Sequence, residues 1–307
     1  MEQKPIIVLL AGPTASGKSK LAIKLSKVLN GEIVNADSMQ VYRELKILTS
    51  RPSSSDLKKI KHHLYGFNSV KNNFSSGAWL QMASKRIKKL FNINKTPIVV
   101  GGTGLYFKSL TDGLVKIPEI PNTLRNEIRE MHEKIGQKTF FEKLIKLDPF
   151  AKNFVSDMDS QRSMRAYEVK KFTNKSISEW IKRTNKIFDD SIFRKLFINA
   201  PKTQLHTKIN NRVEKMFKAG VVQEVNNFTK INLDKVLAAN KIIGIKEIKD
   251  YLEKKKSLNE TKEVIKLKTR QYAKRQFTWA RGNMKSWHMI YSSDLNDLFR
   301  KAINKIS

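Results

Sequence analysis

The sequence predicts an α/β fold with a parallel sheet, and three observations support this prediction. Short apolar runs typical of buried strands occur at Ile6–Ala11, Glu32–Ala36 and Pro97–Gly101. Helical patterns such as Trp79–Phe91 separate these runs. A polar or glycine-rich stretch follows each strand directly. Strands that alternate with helices form parallel sheets, so we expect the carboxyl ends of the three strands to meet at one edge.

The first of these stretches is GPTASGKS, which joins the first strand to a predicted helix. It fits the pattern G-x-x-x-x-G-K-S, in which glycines let backbone N–H groups approach an anion at a helix N-terminus. In this pattern Lys18 can reach the outer phosphate, and the Ser19 hydroxyl can ligate Mg²⁺. We therefore predict an oligophosphate site formed by Gly12, Pro13, Thr14, Ala15, Ser16, Gly17, Lys18 and Ser19. The loop alone does not tell which bond breaks.

The other two stretches are NADSMQ after the second strand and GGTGLY after the third. Asp37 in NADSMQ has three interpretations: a ribose-binding acid, a general base beside the phosphate site, or a helix N-cap. The glycines of GGTGLY allow close backbone approach, and Thr103 offers a hydroxyl. Such turns also commonly do no more than join a strand to a helix. All three stretches are expected to converge on one site.

The composition indicates a folded protein that meets a polyanion. The chain has 307 residues, 60 Lys and Arg against 28 Asp and Glu, a net charge of +32, and 40% hydrophobic residues. Nucleic acid or an acidic membrane surface is the usual partner of so basic a protein. The absence of cysteine excludes disulfides, cysteine-based zinc sites and a thiol nucleophile. No apolar run approaches the roughly 18 residues of a membrane span, so we expect a cytoplasmic protein without membrane contact.

The order of strand and helix patterns along the sequence predicts a core interrupted by a helical insertion. Residues 1–120 form the first part of the core, residues 121–190 the insertion, and residues 191–307 the second part of the core with basic C-terminal helices. Helical patterns in the insertion are Thr123–Glu133, Lys138–Leu147, Asp159–Phe172 and Ile177–Arg183. A strand returns at Leu196–Ala200, and we expect Thr203 to cap the helix that contains Arg212.

Two basic segments each have two interpretations. In QRSMRAYEV, Arg162 and Arg165 lie on one helix face, which suits either RNA or a solvated surface. The segment 262–285 holds eight Lys or Arg residues and one acid, with Tyr272, Phe277 and Trp279 interleaved. These aromatic side chains can stack on unpaired nucleotides or pack into the protein.

The adjacent histidines His62 and His63 suggest a metal site at first sight. Adjacent side chains diverge on either a helix or a strand, and no acidic cluster or cysteine lies nearby. Metal ligation by this pair is therefore disfavoured.

Together these stretches resemble the bacterial tRNA dimethylallyltransferases, also called tRNA isopentenyltransferases. The matches follow one order along the chain: GPTASGKS, NADSMQVYR, HHL, GGTGLYF, QRSMRAYEV, RVEKMF with GVVQEV, IIGIKE and TRQYAKRQFTWAR. Some positions depart from the family pattern, namely Ser50, Arg51, Tyr167, Ile245 and Ala280, and none of these is Lys18, Asp37 or Arg212. The resemblance implies a P-loop NTPase-like parallel-sheet core with an inserted all-helical domain.

The resemblance also implies a reaction. A dimethylallyl group leaves its diphosphate and joins N6 of the adenine immediately 3′ of the anticodon, which is extruded from its stack. The loop residues would hold the diphosphate with Mg²⁺ at Ser19 and Arg212 as a second clamp, Asp37 would act as general base, and Thr14 and Thr103 would lie at the reacting centre. The implied tRNA contacts are Asp37, Ser38, Met39, Gln40, Thr103, Arg125, Gln161, Arg162, Ser163, Met164 and Arg165.

Three other functions compete with this one. A P-loop kinase of a nucleoside or small metabolite would use Asp37 to bind a substrate hydroxyl and would transfer phosphate from ATP. An isopentenyltransferase that acts on free AMP shares the loop but has little use for a basic insertion. A non-catalytic RNA-binding protein has no need of Lys18, Asp37 and Arg212. The expected partners are therefore the tRNA anticodon stem-loop and dimethylallyl diphosphate, bound by a monomer.

Overall fold

The centre of the molecule is a six-stranded parallel sheet. The structure is a computed structural model that describes residues 5–115, 117–181, 184–233 and 237–306. The strands are β1 (Ile7–Ala11), β2 (Gly31–Asn35), β3 (His62–His63), β4 (Thr96–Gly101), β5 (Phe193–Asn199) and β6 (His288–Tyr291). They lie in the order β3-β2-β4-β1-β5-β6, and every neighbouring pair is parallel. The predicted α/β class with a parallel sheet is confirmed.

Helices connect the strands, together with turns and irregular loops. They are α1 (Lys18–Val28), α2 (Ser54–Lys59), α3 (Ser76–Phe91), α4 (Gly104–Asp112), α5 (Asn122–Leu147), α6 (Ser160–Thr173), α7 (Ile177–Ile181), α8 (Lys202–Lys218), α9 (Val221–Thr229), α10 (Ile245–Leu252), α11 (Leu258–Asn283) and α12 (Leu295–Ile306). Short 3₁₀ helices lie at Pro149–Asn153, Asp190–Ile192 and Ala238–Lys241. None of the helices in the described ranges is both long and apolar enough to cross a membrane.

Several local predictions differ from the structure. The strands β3 and β6 were not predicted, because edge strands of two and four residues carry too few apolar side chains to form a pattern. Thr203 does not cap α8, since the helix begins at Lys202 and Pro201 occupies the cap position with extended ψ. The two helices predicted on either side of Gly136 agree with the structure, because α5 is kinked at Gly136, whose backbone is non-helical with a φ of 74°. The last two residues of the predicted helix 177–183 lie outside the described residues.

The centre of the sheet is buried on both faces. Every residue of β1 is buried, and Val8 and Leu10 pack with Leu21 of α1 and with α12 on one face. Because side chains alternate along a strand, Ile7 and Leu9 point to the opposite face. The sequences of parallel strands covered by helices on both faces are continuous apolar runs. This is why β1, β2 and β4 were recognisable in the sequence.

The chain divides into two compact units. One contains residues 1–111 and 188–307, called here the core unit, and the other contains residues 112–187, called the helical unit. The helical unit has its own buried cluster, in which Phe140 and Leu144 of α5 pack against Ala166 and Tyr167 of α6. Its described residues include no strand. The sequence analysis placed this insertion at 121–190.

The buried Trp79 fixes the end of β2 against α3. Its ring stacks on Tyr106 with centroids 4.4 Å apart and an interplanar angle of 11°. Its indole N–H donates to the backbone carbonyl of Asn35, 2.7 Å away. Because Asn35 lies two residues before Asp37, this contact fixes the carboxyl end of β2.

We expect Trp79→Phe to lower the free energy of unfolding by about 1–3 kcal/mol, because the buried Asn35 carbonyl loses its donor. The measurement is urea unfolding followed by circular dichroism. Met82→Ala, on the same helix but 38% exposed, is the control and should change this free energy by less than about 0.5 kcal/mol. Equal effects of the two substitutions would contradict the role of the hydrogen bond.

Candidate active site

The loop GPTASGKS joins β1 to α1, as the sequence predicts. Gly17 caps α1 with a left-handed φ of 96°, a conformation that favours glycine. At Gly12, a side chain would meet the Ile198 carbonyl oxygen at 2.8 Å, so the close approach of β5 requires glycine there. Lys18 and Ser19 are the first two residues of α1. The loop therefore presents a helix N-terminus, which favours an anion.

A cavity of about 1050 Å³ opens over this loop and is called here the loop cavity. All its lining residues belong to the core unit. Among the described residues, seven basic side chains and one carboxylate line it: Lys18, Lys20, Lys46, Arg51, Lys208, Arg212, Lys215 and Asp37. So strong an excess of positive charge in a concave site attracts an anion.

Three charged side chains form the centre of the loop cavity. Burial lowers the pKa of Lys18 to about 8, while the nearby Asp37 raises it and Arg212 lowers it. The Lys18 ammonium donates to the Pro13 carbonyl, 2.6 Å away. Burial also lowers the pKa of Arg212, and Asp37 opposes this shift. Two partly buried cations thus lie near one carboxylate.

The guanidinium of Arg212 connects two loops. One nitrogen donates to Thr14 Oγ1 over 2.7 Å, and the other donates to the Thr49 carbonyl over 3.4 Å. Gln40 donates to the same carbonyl, 2.9 Å away, and to the Ser50 carbonyl. Arg212 is therefore oriented before any ligand arrives, which suits electrostatic stabilisation of a developing charge.

Asp37 follows β2 by two residues and is fixed by Asn35. The Asn35 side chain accepts from the Asp37 N–H and donates to the Asp37 carbonyl, each at 2.9 Å. One carboxylate oxygen accepts from the Met39 N–H at 3.0 Å, and the other accepts no hydrogen bond from the described residues. The next helix begins only at Ser54. The helix N-cap interpretation of Asp37 is therefore wrong, and one oxygen remains able to accept a proton.

The turn GGTG after β4 is bound to the loop of Asp37. Thr103 Oγ1 accepts from the Ser38 N–H at 2.9 Å and donates to the Ser38 hydroxyl at 3.2 Å. A side chain at Gly102 would lie 2.2 Å from the Gln276 amide nitrogen, and one at Gly104 would lie 2.2 Å from the Trp279 ring. The close approach predicted for these glycines is thus made by side chains of α11.

A second cavity of about 230 Å³ lies at this turn and is called here the turn cavity. Ser38, Thr103, Tyr272 and Trp279 line it, so two of the three interleaved aromatic residues face this cavity. Burial and the charge of Asp37 raise the pKa of the Tyr272 phenol. The third aromatic residue, Phe277, packs 6.3 Å from the Phe197 ring between centroids.

Three basic side chains of the segment 262–285, all lysines in its first half, bind acids of the same chain. Lys262 and Lys266 bind the two carboxylate oxygens of Glu214 at 2.8 and 2.7 Å. Lys268 binds Glu247. These pairs show that part of the charge on α11 stabilises its packing against α8 and α10.

The other predicted RNA contacts lie in the helical unit, on α5 and α6. Gln161 and Arg162 are exposed, whereas Ser163 is buried and accepts a hydrogen bond from Gln137 at 3.1 Å. Arg165 binds Glu168 at 3.1 Å, and Arg125 approaches the same carboxylate at 3.9 Å. Two arginines on one glutamate leave positive charge on this surface.

The adjacent histidines form the edge strand β3. His63 binds Glu32 at 2.5 Å, and His62 contacts the Ile60 carbonyl at 2.8 Å. Burial lowers the pKa of both rings. Within the described ranges, no group of three His, Cys, Asp or Glu side chains could hold a metal ion.

Some residues of the site were missed by sequence reasoning. Lys208 and Lys215 lie four residues before and three residues after Arg212 on α8, so helical spacing could have placed them on its face. Gln276 likewise lies one turn from Tyr272 and from Trp279. Tyr65 lines the loop cavity with no recognisable signal in the sequence.

Comparison with known proteins shows which family this sequence matches. The model of the IPP transferase family matches residues 40–283. A tRNA dimethylallyltransferase of Pelagibacter ubique (strain HTCC1062) is 50% identical over 301 residues, which cover 98% of this chain and 96% of that protein. One of Rickettsia massiliae (strain Mtu5) is 43% identical, covering 91% of this chain and 77% of that one.

Solved structures agree with these relatives. A eukaryotic dimethylallyltransferase acting on tRNA superimposes with a TM-score of 0.80 at 27% identity, covering 95% of this chain and 75% of that one. The tRNA delta(2)-isopentenylpyrophosphate transferase of Staphylococcus epidermidis gives a TM-score of 0.69 at 28% identity, covering 99% of both chains. The resemblance seen in the motifs is confirmed, and the chain belongs to the IPP transferase family.

Proposed function

We propose that this chain transfers a dimethylallyl group from dimethylallyl diphosphate to N6 of the adenine immediately 3′ of the anticodon in tRNA. The products are N6-isopentenyladenosine and diphosphate. The observation that carries the proposal is the meeting of Lys18, Asp37 and Arg212 on one cavity of a chain in this family. The relatives named tRNA dimethylallyltransferase favour this reaction over phosphoryl transfer or prenylation of free AMP.

The leaving group is the first chemical problem. The adenine exocyclic amine is a poor nucleophile because its lone pair is delocalised into the ring. Departure of the diphosphate must therefore be assisted by fixed positive charge as the carbon–oxygen bond breaks. Lys18 and Arg212 supply that charge, and Thr14 keeps the Arg212 guanidinium in place. The whole loop from Gly12 to Ser19 holds the diphosphate at the N-terminus of α1.

The proton on N6 is the second problem. As the new nitrogen–carbon bond forms, N6 acquires positive charge and must lose a proton. Asp37 accepts it with the carboxylate oxygen that has no hydrogen-bond donor in the described chain. Asn35 fixes the backbone of Asp37 on both sides, so the carboxylate is positioned without substrate.

A magnesium ion fits the loop cavity. Mg²⁺ prefers oxygen ligands and usually keeps waters and substrate phosphate oxygens beside one or two protein ligands. Ser19 and Asp37 offer such oxygens in the loop cavity. When bound, the ion would neutralise charge on the diphosphate, and Ser19 is the residue that would hold it.

The acceptor is bound as part of a long polyanion. The net charge of +32 and the exposed Gln161 and Arg162 on α6 support contact with a tRNA anticodon stem-loop. Arg125, Met164 and Arg165 extend this contact, and the buried Ser163 supports α6 through the hydrogen bond that it accepts from Gln137. Asp37, Ser38, Met39, Gln40 and Thr103 contact the target base and its neighbours, and extrusion from a single-stranded loop costs less than from a duplex. We propose that the chain acts as a cytoplasmic monomer.

The test is incubation with Mg²⁺, dimethylallyl diphosphate and an unmodified anticodon stem-loop, followed by mass spectrometry of the nucleosides. We expect N6-isopentenyladenosine, no product when guanine replaces the target adenine, and a much lower kcat/KM for AMP. No phosphate should pass from ATP to a nucleoside. A kcat/KM for AMP equal to that for the stem-loop would favour the free-nucleotide enzyme instead.

Asp37→Asn is expected to lower kcat by about 10²- to 10⁴-fold, because the amide keeps the shape but cannot accept the proton. Binding of the donor, measured by calorimetry, should persist because the amide does not remove a diphosphate ligand. The control is Asp250→Asn, which removes one negative charge from α10, where Asp250 pairs with Lys256. If Asp37→Asn kept most of the activity, the general base would have to be another group.

Donor binding should weaken as pH rises through the pKa of Lys18, which burial lowers to about 8. The anion binds best to the charged ammonium, so binding near and above that pH takes up a proton. The measurement is calorimetry in two buffers with different ionisation enthalpies.

Lys18→Met should bind the donor weakly and take up no proton. Lys27→Met, at an exposed position on the same helix, should behave like the unaltered protein. Proton uptake that survives in Lys18→Met would assign the titration to another group.

A further inference from the structure

The loop cavity and the turn cavity meet at one side chain. Among the described residues, Gln276 is the only one that lines both cavities. The loop cavity contains Lys18, Asp37 and Arg212, whereas Ser38 and Thr103 line the turn cavity. Gln276 therefore lies where a group in one cavity would have to meet a group in the other.

Both ends of the Gln276 amide are engaged. Its carbonyl oxygen accepts from the Thr14 N–H at 2.9 Å, and its nitrogen donates to the Gly102 carbonyl at 2.9 Å. An amide that donates to one group and accepts from another has a single orientation. Gly102 has no side chain, and a Cβ there would lie 2.2 Å from the amide nitrogen, so the turn leaves room for this contact.

The hydrogen bonds of Gln276 continue through Thr14 to Arg212, the cation that would face the diphosphate. Thr14, whose N–H is bound by Gln276, accepts from Arg212 through its hydroxyl at 2.7 Å. On the other side, the turn of Gly102 carries Thr103, which binds Ser38. One side chain on α11 thus sets the separation between the loop of the donor and the turn on the acceptor side.

We propose that Gln276 is a positioning residue that ties these two loops together and narrows the passage between the cavities. The inference rests on the proposed function, since the donor would lie in the loop cavity and the target base would arrive through the turn cavity. Gln276 then keeps water in the turn cavity away from the carbon that carries the diphosphate. Without this partition, water attacks that carbon, the carbon–oxygen bond breaks, diphosphate leaves, and the water proton passes to solvent.

Three substitutions distinguish two roles of Gln276. One role, the partition, is to separate the two cavities. The other, the bridge, is to join the two loops by hydrogen bonds. Gln276→Ala removes both the hydrogen bonds and the side-chain volume. Gln276→Leu fills the passage but makes neither hydrogen bond. Gln276→Glu can still accept from the Thr14 N–H but, when ionised, cannot donate to the Gly102 carbonyl.

The first measurement is the ratio of diphosphate released to isopentenyladenosine formed. We expect a one-to-one ratio in the unaltered protein and in Gln276→Leu. An excess of diphosphate is expected in Gln276→Ala, which should also release it without RNA.

In Gln276→Leu, kcat should fall by about tenfold or more with little change in donor KM, because misalignment of reactants acts on turnover. Gln271→Ala, at an exposed position on the same helix, is the control and should match the unaltered protein.

The second measurement does not depend on activity. Hydrogen–deuterium exchange of the Thr14 amide should accelerate in Gln276→Leu, remain slow in Gln276→Glu, and be unchanged in Gln271→Ala. A one-to-one ratio and a kcat within about twofold of normal in Gln276→Ala would overturn the partition. Unchanged exchange at Thr14 in Gln276→Leu would overturn the bridge. If the unaltered protein made no isopentenyladenosine, the proposed function would fail, and the exchange experiment would still decide whether the bridge exists.

Discussion

Two partly buried cations near one carboxylate are the arrangement on which the rest of the site depends. Removing Lys18 and Arg212 from water disfavours their charged forms, which is why burial lowers the pKa of both. Asp37 opposes that cost, and hydrogen bonds to Pro13, Thr14 and Thr49 complete their coordination. One carboxylate cannot balance two cations, so the cavity retains positive charge. An anionic ligand would complete the balance, and in the proposed reaction the same charges assist its departure as a leaving group.

Distant parts of the chain are needed to build this arrangement. Thr14 lies 198 positions from Arg212 and 262 positions from Gln276 along the chain, yet it is bound to both. The parallel sheet brings the ends of β1, β2 and β4 to one edge, and α8 and α11 close the cavity from the C-terminal part. Helix α9 contributes Glu224, which accepts from the Ile47 and Leu48 N–H groups at 2.7 and 2.8 Å. That carboxylate fixes the loop whose Thr49 carbonyl binds Arg212.

The basic composition serves two purposes in the structure. Some lysines, such as Lys262 and Lys266, form ion pairs with Glu214 that help to pack α11 against α8. Seven other cations of the described residues line the loop cavity. Net charge predicted an anionic partner but could not distinguish these uses, because charge is a sum over the chain and pairing is a property of positions.

The sequence by itself determined the features that depend on neighbours along the chain. The loop GPTASGKS, the buried strands β1, β2 and β4, and the convergence of their carboxyl ends all follow from short-range patterns and from the geometry of parallel sheets. The role of Arg212 came only from the resemblance to a family, since nothing near it in the chain marks a ligand for Thr14.

Tertiary structure alone decided the rest. The edge strands β3 and β6 are too short to form a pattern. Gln276 is an ordinary polar residue in a basic helix until α11 packs on the turn of Gly102 and brings its amide to Thr14. Such contacts join residues that are far apart in the chain, and their hydrogen bonds exist only once the fold has placed donor and acceptor together.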